Sequence, residues 1–162
     1  RCETCPNEAQ AVSNKSPGPV SDQERMLRAT WSPSQVGADG IKIGFIRESH
    51  LREGHLSVWR ENYMAENSLA DKRARFEKFA PTNNSLYEIY APRAREIRCL
   101  TLTCGRRAFC VVDDTDAGGE HLYDHAGIKF CDNIDSSTLT PAEFVFAREQ
   151  LRKCFVAAPL KN

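Results

Sequence analysis

IRCLTLTCGRRAFCVVD, residues 97–113, is the stretch whose reading decides the fold. Its two halves, Ile97–Cys104 and Ala108–Asp113, are short alternating runs joined by Gly105-Arg106-Arg107. That pattern predicts a β-hairpin, and hence an antiparallel pairing. Outward from it, LSVWR (56–60), GIKFC (127–131) and IKIGFIR (41–47) read as further strands. In the last of these, Ile41, Ile43 and Phe45 alternate onto one face. Ser85–Tyr90 is ambiguous, and Pro92 opens a short helical turn.

Helices are predicted at three places. Thr140-Pro141-Ala142-Glu143 combines an N-cap threonine, proline at the first helical position and glutamate at capping-box spacing. Phe144, Ala147, Leu151 and Phe155 then recur down one face, which predicts an amphipathic helix docked on a sheet. Glu61–Phe79 contains no Gly or Pro and is rich in helix formers. Ser21-Asp22-Gln23-Glu24 has capping-box spacing, so a short helix is expected to run to about Trp31. The sum is α+β: a mostly antiparallel sheet of four or five strands packed by two or three helices. Residues 1–20, which lack apolar periodicity and end in Ser-Pro-Gly-Pro, read as a flexible arm or linker before a single domain at 21–162.

The 162 residues suit one domain, and no apolar run approaches the roughly 20 residues that span a bilayer. The 22 Lys+Arg and 22 Asp+Glu cancel, which excludes a histone-like polyelectrolyte. Residues 41–107, however, hold thirteen basic and eight acidic side chains, and 108–162 hold five and nine. A basic middle and an acidic end either face each other in the fold or make a bipolar surface for a partner. The middle also interleaves arginines, among them Arg106 and Arg107, with aromatics, as phosphate contact and base stacking would require. No dinucleotide, P-loop, nucleophile-elbow or zincin motif occurs.

Seven cysteines, an odd number in a chain long enough to build a core, argue against a disulfide scaffold and for a reducing cytoplasm. Cys2-x-x-Cys5 has zinc-ligand spacing but lacks a second pair at finger distance, so Cys99, Cys104, Cys110 or a histidine would have to complete it through the fold. The histidines fall in two pairs, His50 with His55 and His121 with His125. On a helix, His121 and His125 would share a face with Asp124 adjacent, a set able to bind a transition metal or to act as a carboxylate-oriented general base. The acidic run Asp113–Glu120 invites a divalent cation, and with Lys129 or His125 a Mg²⁺-dependent nuclease centre, but it lacks EF-hand spacing.

Met26–Trp31, Phe45 and Gly54–Arg60 together resemble small uncharacterised bacterial proteins with a Leu-x-Arg … Phe … Leu-Ser-Val-x-Arg pattern and a His-Ala near a strand, as in Asp124-His125-Ala126. The resemblance implies no activity. It implies a bacterial cytosolic protein in which Arg28, Ser57, Arg60 and His125 lie near one another. Three functions are therefore expected. The first is a protein-interaction module of the immunity, antitoxin or accessory-subunit kind. The second is a small hydrolase or nuclease using His50, His55, Asp124 and His125, with a metal, zinc foremost, on Cys2, Cys5 or His121. The third is nucleic-acid binding through the basic middle, with Arg28, Ser57, Arg60, Arg106 and Arg107 as binding residues.

Overall fold

The computed structural model describes residues 5–115 and 122–161. It is α+β, with five antiparallel strands in spatial order β5-β1-β4-β7-β6: β1 (Met26–Ser32), β4 (Leu56–Arg60), β5 (Ser85–Tyr90), β6 (Phe109–Asp113) and β7 (His125–Phe130). A two-stranded hairpin, β2 (Val36–Gly37) and β3 (Gly40–Ile41), stands apart from it. The described residues also form four α-helices: α1 (Glu48–Glu53), α2 (Leu69–Glu77), α3 (Ala94–Arg98) and α4 (Pro141–Val156). No described helix is long and apolar enough to cross a membrane.

Each sheet face has its own core. One face carries Leu56, Val58, Val111, Ala126 and Ile128, which pack with Phe144, Ala147, Leu151 and Phe155 of α4. The other carries Leu27, Ala29 and Ile89, with Trp59 against them, beneath Phe76 of α2. Helix α4 forms where expected: Thr140 Oγ1 accepts from the Glu143 amide, and the Glu143 carboxylate accepts from the Thr140 amide.

Four local expectations are corrected. Met26–Ser32 is not a helix but an interior strand, with Met26 to Thr30 buried on both faces. A strand covered on both sides loses its polar-apolar alternation, and its pairing outweighs the helix preference of Met, Leu, Arg and Ala. The Ser21–Glu24 contact exists, with Ser21 N donating to Glu24 Oε1 at 2.7 Å, but it closes a turn rather than starting a helix. In 41–47 only Ile41 pairs in a strand; Ile43–Phe45 is a 3-10 turn. Its carbonyls find donors on α4 instead of a strand, from Arg152 to Ile41 O at 2.9 Å and from Arg148 to Ile46 O at 2.8 Å. The helix expected over 61–79 shrinks to α2, because Ser68 caps it by accepting from Asp71 N. Ile97 and Arg98 belong to α3, so the expected hairpin reduces to a Thr101–Arg107 bridge closed by Gly105 at φ +81°.

Residues 5–20 lie along β6. Glu8 Oε1 accepts from Val111 N at 2.7 Å and from Arg98 Nε at 2.8 Å, and Val12 N donates to Asp113 Oδ2 at 2.8 Å. Cys5 is joined to Cys110 of β6 by a disulfide, where none was expected.

Candidate functional site

Antiparallel pairing assembles the site. On β4 and β7, Ser57 faces Gly127 and Trp59 faces His125; on β6 and β7, Val112 faces Gly127 and Asp113 faces Ala126. Side chains alternate along a strand, so His125, Gly127 and Lys129 share a sheet face with Val112 and Asp114 from one neighbour and with His55, Ser57 and Trp59 from the other. This stretch lies between α2 and the N-terminal segment.

Asp114 stands at the centre. Its Oδ2 is 2.6 Å from His55 Nε2 and 3.0 Å from His125 Nδ1, and its backbone carbonyl is 3.1 Å from the same His125 nitrogen. The three side chains are 18% (Asp114), 32% (His55) and 3% (His125) exposed, so His55 is the one open to solvent. Asp114 Oδ2 is itself buried, and the ring nitrogens approach it off the hydrogen-bonding axis. The short distances carry the electrostatics; the off-axis angles mean that the contact is not a fully formed pair of hydrogen bonds.

The hydrogen-bonding contact and charge of Asp114 raise the His55 pKa above its ordinary value, against the effects of burial and of Lys129. Burial works to raise the Asp114 pKa in turn, but the two imidazoles outweigh it and hold the carboxyl far below the usual range. A carboxylate flanked by two imidazoles therefore stays ionised, and His55 keeps its proton to higher pH than a free histidine.

Gly127 allows the His55 ring to lie flat on β7. A Cβ there would stand 2.8 Å from His55 Cγ and 2.9 Å from Cδ2. The His125 ring meets Trp59 edge-on, with centroids 5.6 Å apart, and Trp59 in turn packs on Phe76 at 5.2 Å. His55 lines two clefts. One, of about 370 Å³, is formed with Asn7, Gln10, Val12, Val112 and Lys129, and the other, of about 260 Å³, with His50, Glu53 and Gly54.

The expected site residues separate into those the fold brings together and those it does not. His55 and His125 meet; the carboxylate between them is Asp114, not Asp124. Asp124 instead pairs with Arg75, which also holds Glu66 at 3.0 Å. His125 belongs to a strand rather than a helix, which removes the shared helical face with His121, a residue outside the described ones. His50 sits on α1 beside the second cleft, outside the Asp114 cluster; burial first, then Arg28, Arg47 and His55, lower its pKa.

Arg28 reaches Ser57, donating to its carbonyl at 2.8 Å and to Phe45 O at 3.1 Å, so both of its bonds go to main chain. Arg60 is wholly buried and structural: it bonds Glu24 at 2.7 and 2.9 Å, Asp113 at 3.3 Å and the Gly18 carbonyl at 2.7 Å. Asp113 is thus part of the core rather than a cation-binding loop. Arg107 is tied to Glu8 and to Phe109 O, far along β6 from His55. Arg106 follows Gly105 in the loop before β6, where it hydrogen-bonds the exposed Cys104 thiol and lowers its pKa. Cys5 lies in the disulfide, and Cys2 lies outside the described residues.

Among the described residues, two side-chain groups bring three metal-type donor atoms together: His55, Asp114 and His125, and the buried sulfurs of Cys5, Cys110 and Cys131, of which Cys5 and Cys110 are joined by the disulfide. Comparison with protein-family models, with curated proteins and with solved structures finds no match to this chain.

Proposed function

We propose that the protein is a small hydrolase in which His55, oriented by Asp114, is the general base. The observation that carries this reading is the Asp114 oxygen held 2.6 Å from His55 Nε2 on a ring that borders two clefts. With Nε2 facing the carboxylate at 2.6 Å, Nδ1 is the nitrogen left to take a proton from water, and the charge of Asp114 stabilises the imidazolium that results. His125 serves as a positioning residue: its Nδ1–H donates to the Asp114 carbonyl and fixes the carboxylate from the other side. A pKa raised above the ordinary histidine value suits a base that works near neutral to mildly alkaline pH. Lys129 lines the larger cleft, where its ammonium is paired with Asp132 at 2.5 Å; an ester or phosphoester oxygen would have to share it with that carboxylate.

Carboxylic ester, phosphomonoester and phosphodiester nitrophenyl substrates test the reading. The wild type should turn over at least one class, and His55→Ala and Asp114→Asn should each lower kcat by about 10²–10⁴-fold. Unchanged turnover in His55→Ala, or no turnover of any class above that variant, overturns it.

A second reading has its own support. Two imidazoles and a carboxylate whose buried oxygen lies off the hydrogen-bonding axis are the donor set of a divalent transition-metal site. In that case the hydrolysis is metal-assisted, and both His55→Ala and His125→Ala abolish metal-dependent turnover.

The protein-interaction and nucleic-acid readings rest on the bipolar charge pattern, and they have less to stand on. Much of the basic middle meets carboxylates within the molecule: Arg60 with Glu24 and Asp113, Arg75 with Glu66 and Asp124, Arg98 with Glu8 and Asp22, and Arg73 with Glu88.

A further inference from the structure

Another cleft opens where the sheet parts. Strands β1 and β4 pair only at Met26–Arg60 and Leu27–Trp59. Beyond Leu27, β1 stays with β5 and β4 stays with β7, so the two strands separate. The cleft at this parting has a volume of about 200 Å³, and its lining includes Arg28, Trp31, Ser57, Trp59, Phe76 and Phe79. None of His55, Asp114 and His125 lines it. In strand order, β7 and β6 lie on the far side of β4 from β1.

The lining holds a buried cation and no anion. Arg28 is 9% exposed, and its guanidinium donates to two main-chain carbonyls, Ser57 O at 2.8 Å and Phe45 O at 3.1 Å. Its Nε has no acceptor, and neither has the buried Nε1 of Trp59. Burial, then the charge of Arg47, lower the Arg28 pKa to about 10, and no carboxylate among the described residues works against them. An arginine is rarely buried without an anionic partner. The walls are aromatic: Trp59 meets Phe76 edge-on with centroids 5.2 Å apart and stacks on Phe79 at 6.4 Å. We propose that this cleft binds a small aromatic carboxylate, its ring among Trp31, Trp59, Phe76 and Phe79 and its carboxylate on Arg28 and the Ser57 hydroxyl.

Size and chemistry agree. An apolar cavity of roughly 150 Å³ holds one benzene ring, so the space here takes a single ring with a short acidic arm. A planar carboxylate matches the guanidinium fork and supplies the counter-charge that Arg28 lacks. A neutral aromatic molecule would leave that charge unmatched. An aliphatic acid would match it but forgo the ring-to-ring contacts that the walls offer.

Trp31 and Trp59 are the two tryptophans of the chain and both line the cleft, so intrinsic fluorescence reads its occupancy. The full chain is titrated with phenylacetate, with phenylethanol as the neutral control and with hexanoate as the ring-free one, and calorimetry gives the stoichiometry. Phenylacetate should change the emission saturably, bind once per chain and show a dissociation constant of about 1 mM or tighter. Each control should bind weaker by about tenfold or more. Phe79 is 58% exposed, so Phe79→Asp leaves the core intact and sets a negative charge beside the ligand. It should weaken phenylacetate by about tenfold or more, with the circular dichroism unchanged. Arg28→Gln should do the same, and Phe79→Asp decides the matter if that variant fails to fold. No binding of phenylacetate, equal affinity for either control, or full affinity in Phe79→Asp overturns the proposal. Phenylacetate offers no bond to hydrolyse, so its binding stands or falls separately from the hydrolase reading.

Discussion

Gly127→Ala tests whether the candidate site depends on the ring of His55 lying on bare backbone. The new methyl would sit 2.8 Å from His55 Cγ, 2.9 Å from Cδ2 and 3.1 Å from Cβ, where ordinary contact begins near 3.4 Å. The ring must therefore retreat by about 0.6 Å or β7 must shift by as much, since the clash is with the ring base rather than a flexible tip. A retreat of that size away from Asp114 stretches the 2.6 Å contact to about 3.2 Å, the long end of hydrogen-bond range, and weakens it. Overpacking costs about 1–3 kcal/mol, and the weakened, part-exposed pair adds about 1 kcal/mol or less. We expect a stability loss of about 2 kcal/mol in urea denaturation. In NMR titration of the ring protons, the His55 midpoint should fall back toward about 6.5, the ordinary value. Gly44→Ala is the control, because a Cβ there meets nothing within 4 Å. If Gly127→Ala leaves both the urea midpoint and the His55 titration where they were, the ring does not need the glycine, and the geometric account of the site is wrong.

Two further outcomes follow from charges placed inside the fold. Arg60→Ala strands the Glu24 and Asp113 carboxylates in the core, so the urea midpoint should drop by the equivalent of about 3–5 kcal/mol; a loss under about 1 kcal/mol refutes the structural role given to Arg60. Asp114→Asn should lower stability only within a pH window. The raised His55 pKa contributes stability that is full below about 6.5 and lost as pH rises through the folded value, and the lowered Asp114 pKa contributes stability that is full above about 4 and lost as pH falls through its folded value. The difference between wild type and variant should thus peak, at about 1 kcal/mol, between about pH 4 and 6.5, and a difference that grows with pH above that range contradicts the pairing.

Helix α4 was legible because its signals are local: Thr140, Pro141 and Glu143 set its start, and the Phe144-to-Phe155 period sets its buried face. Strands β4 and β7 were legible for a similar reason, since the alternation in Leu56–Arg60 matches a strand buried on one side. Strand β1 was not. Arg28 and Thr30 are as buried as Leu27 and Ala29, so the period that marks a strand is absent, and the residues that remain read as helix formers. In 41–47 the alternation was genuine but was met by arginines of α4, a long-range contact with no local sign.

Among the site residues, His55 and His125 stood out in the sequence, while their carboxylate was sought in Asp124, the neighbour of His125. Adjacent residues of a strand point to opposite faces, so Asp124 is badly placed to orient His125 once that segment is extended. The correct partner, eleven residues earlier, follows only from the β6–β7 register. The Cys5–Cys110 disulfide, which joins residues 105 apart, has no local sign either.

That register also explains why two neighbouring carboxylates have different fates. Asp113 and Asp114 are consecutive at the end of β6. Alternation sends Asp113 to the wholly buried Arg60, where it accepts a charged donor and takes part in the core, and sends Asp114 to the opposite face, between two imidazoles. An apolar sheet face gains nothing from burying a carboxylate unless its charge is matched, and Arg60 gives Asp113 a permanent match. His55, the partner of Asp114 that is open to solvent, is charged only when protonated, so that match comes and goes with pH. A fold needing Asp114 only for stability would be better served by an arginine, as one residue earlier. Two histidines, one of them open to two clefts and seated on a glycine, make sense for a group whose proton has to move.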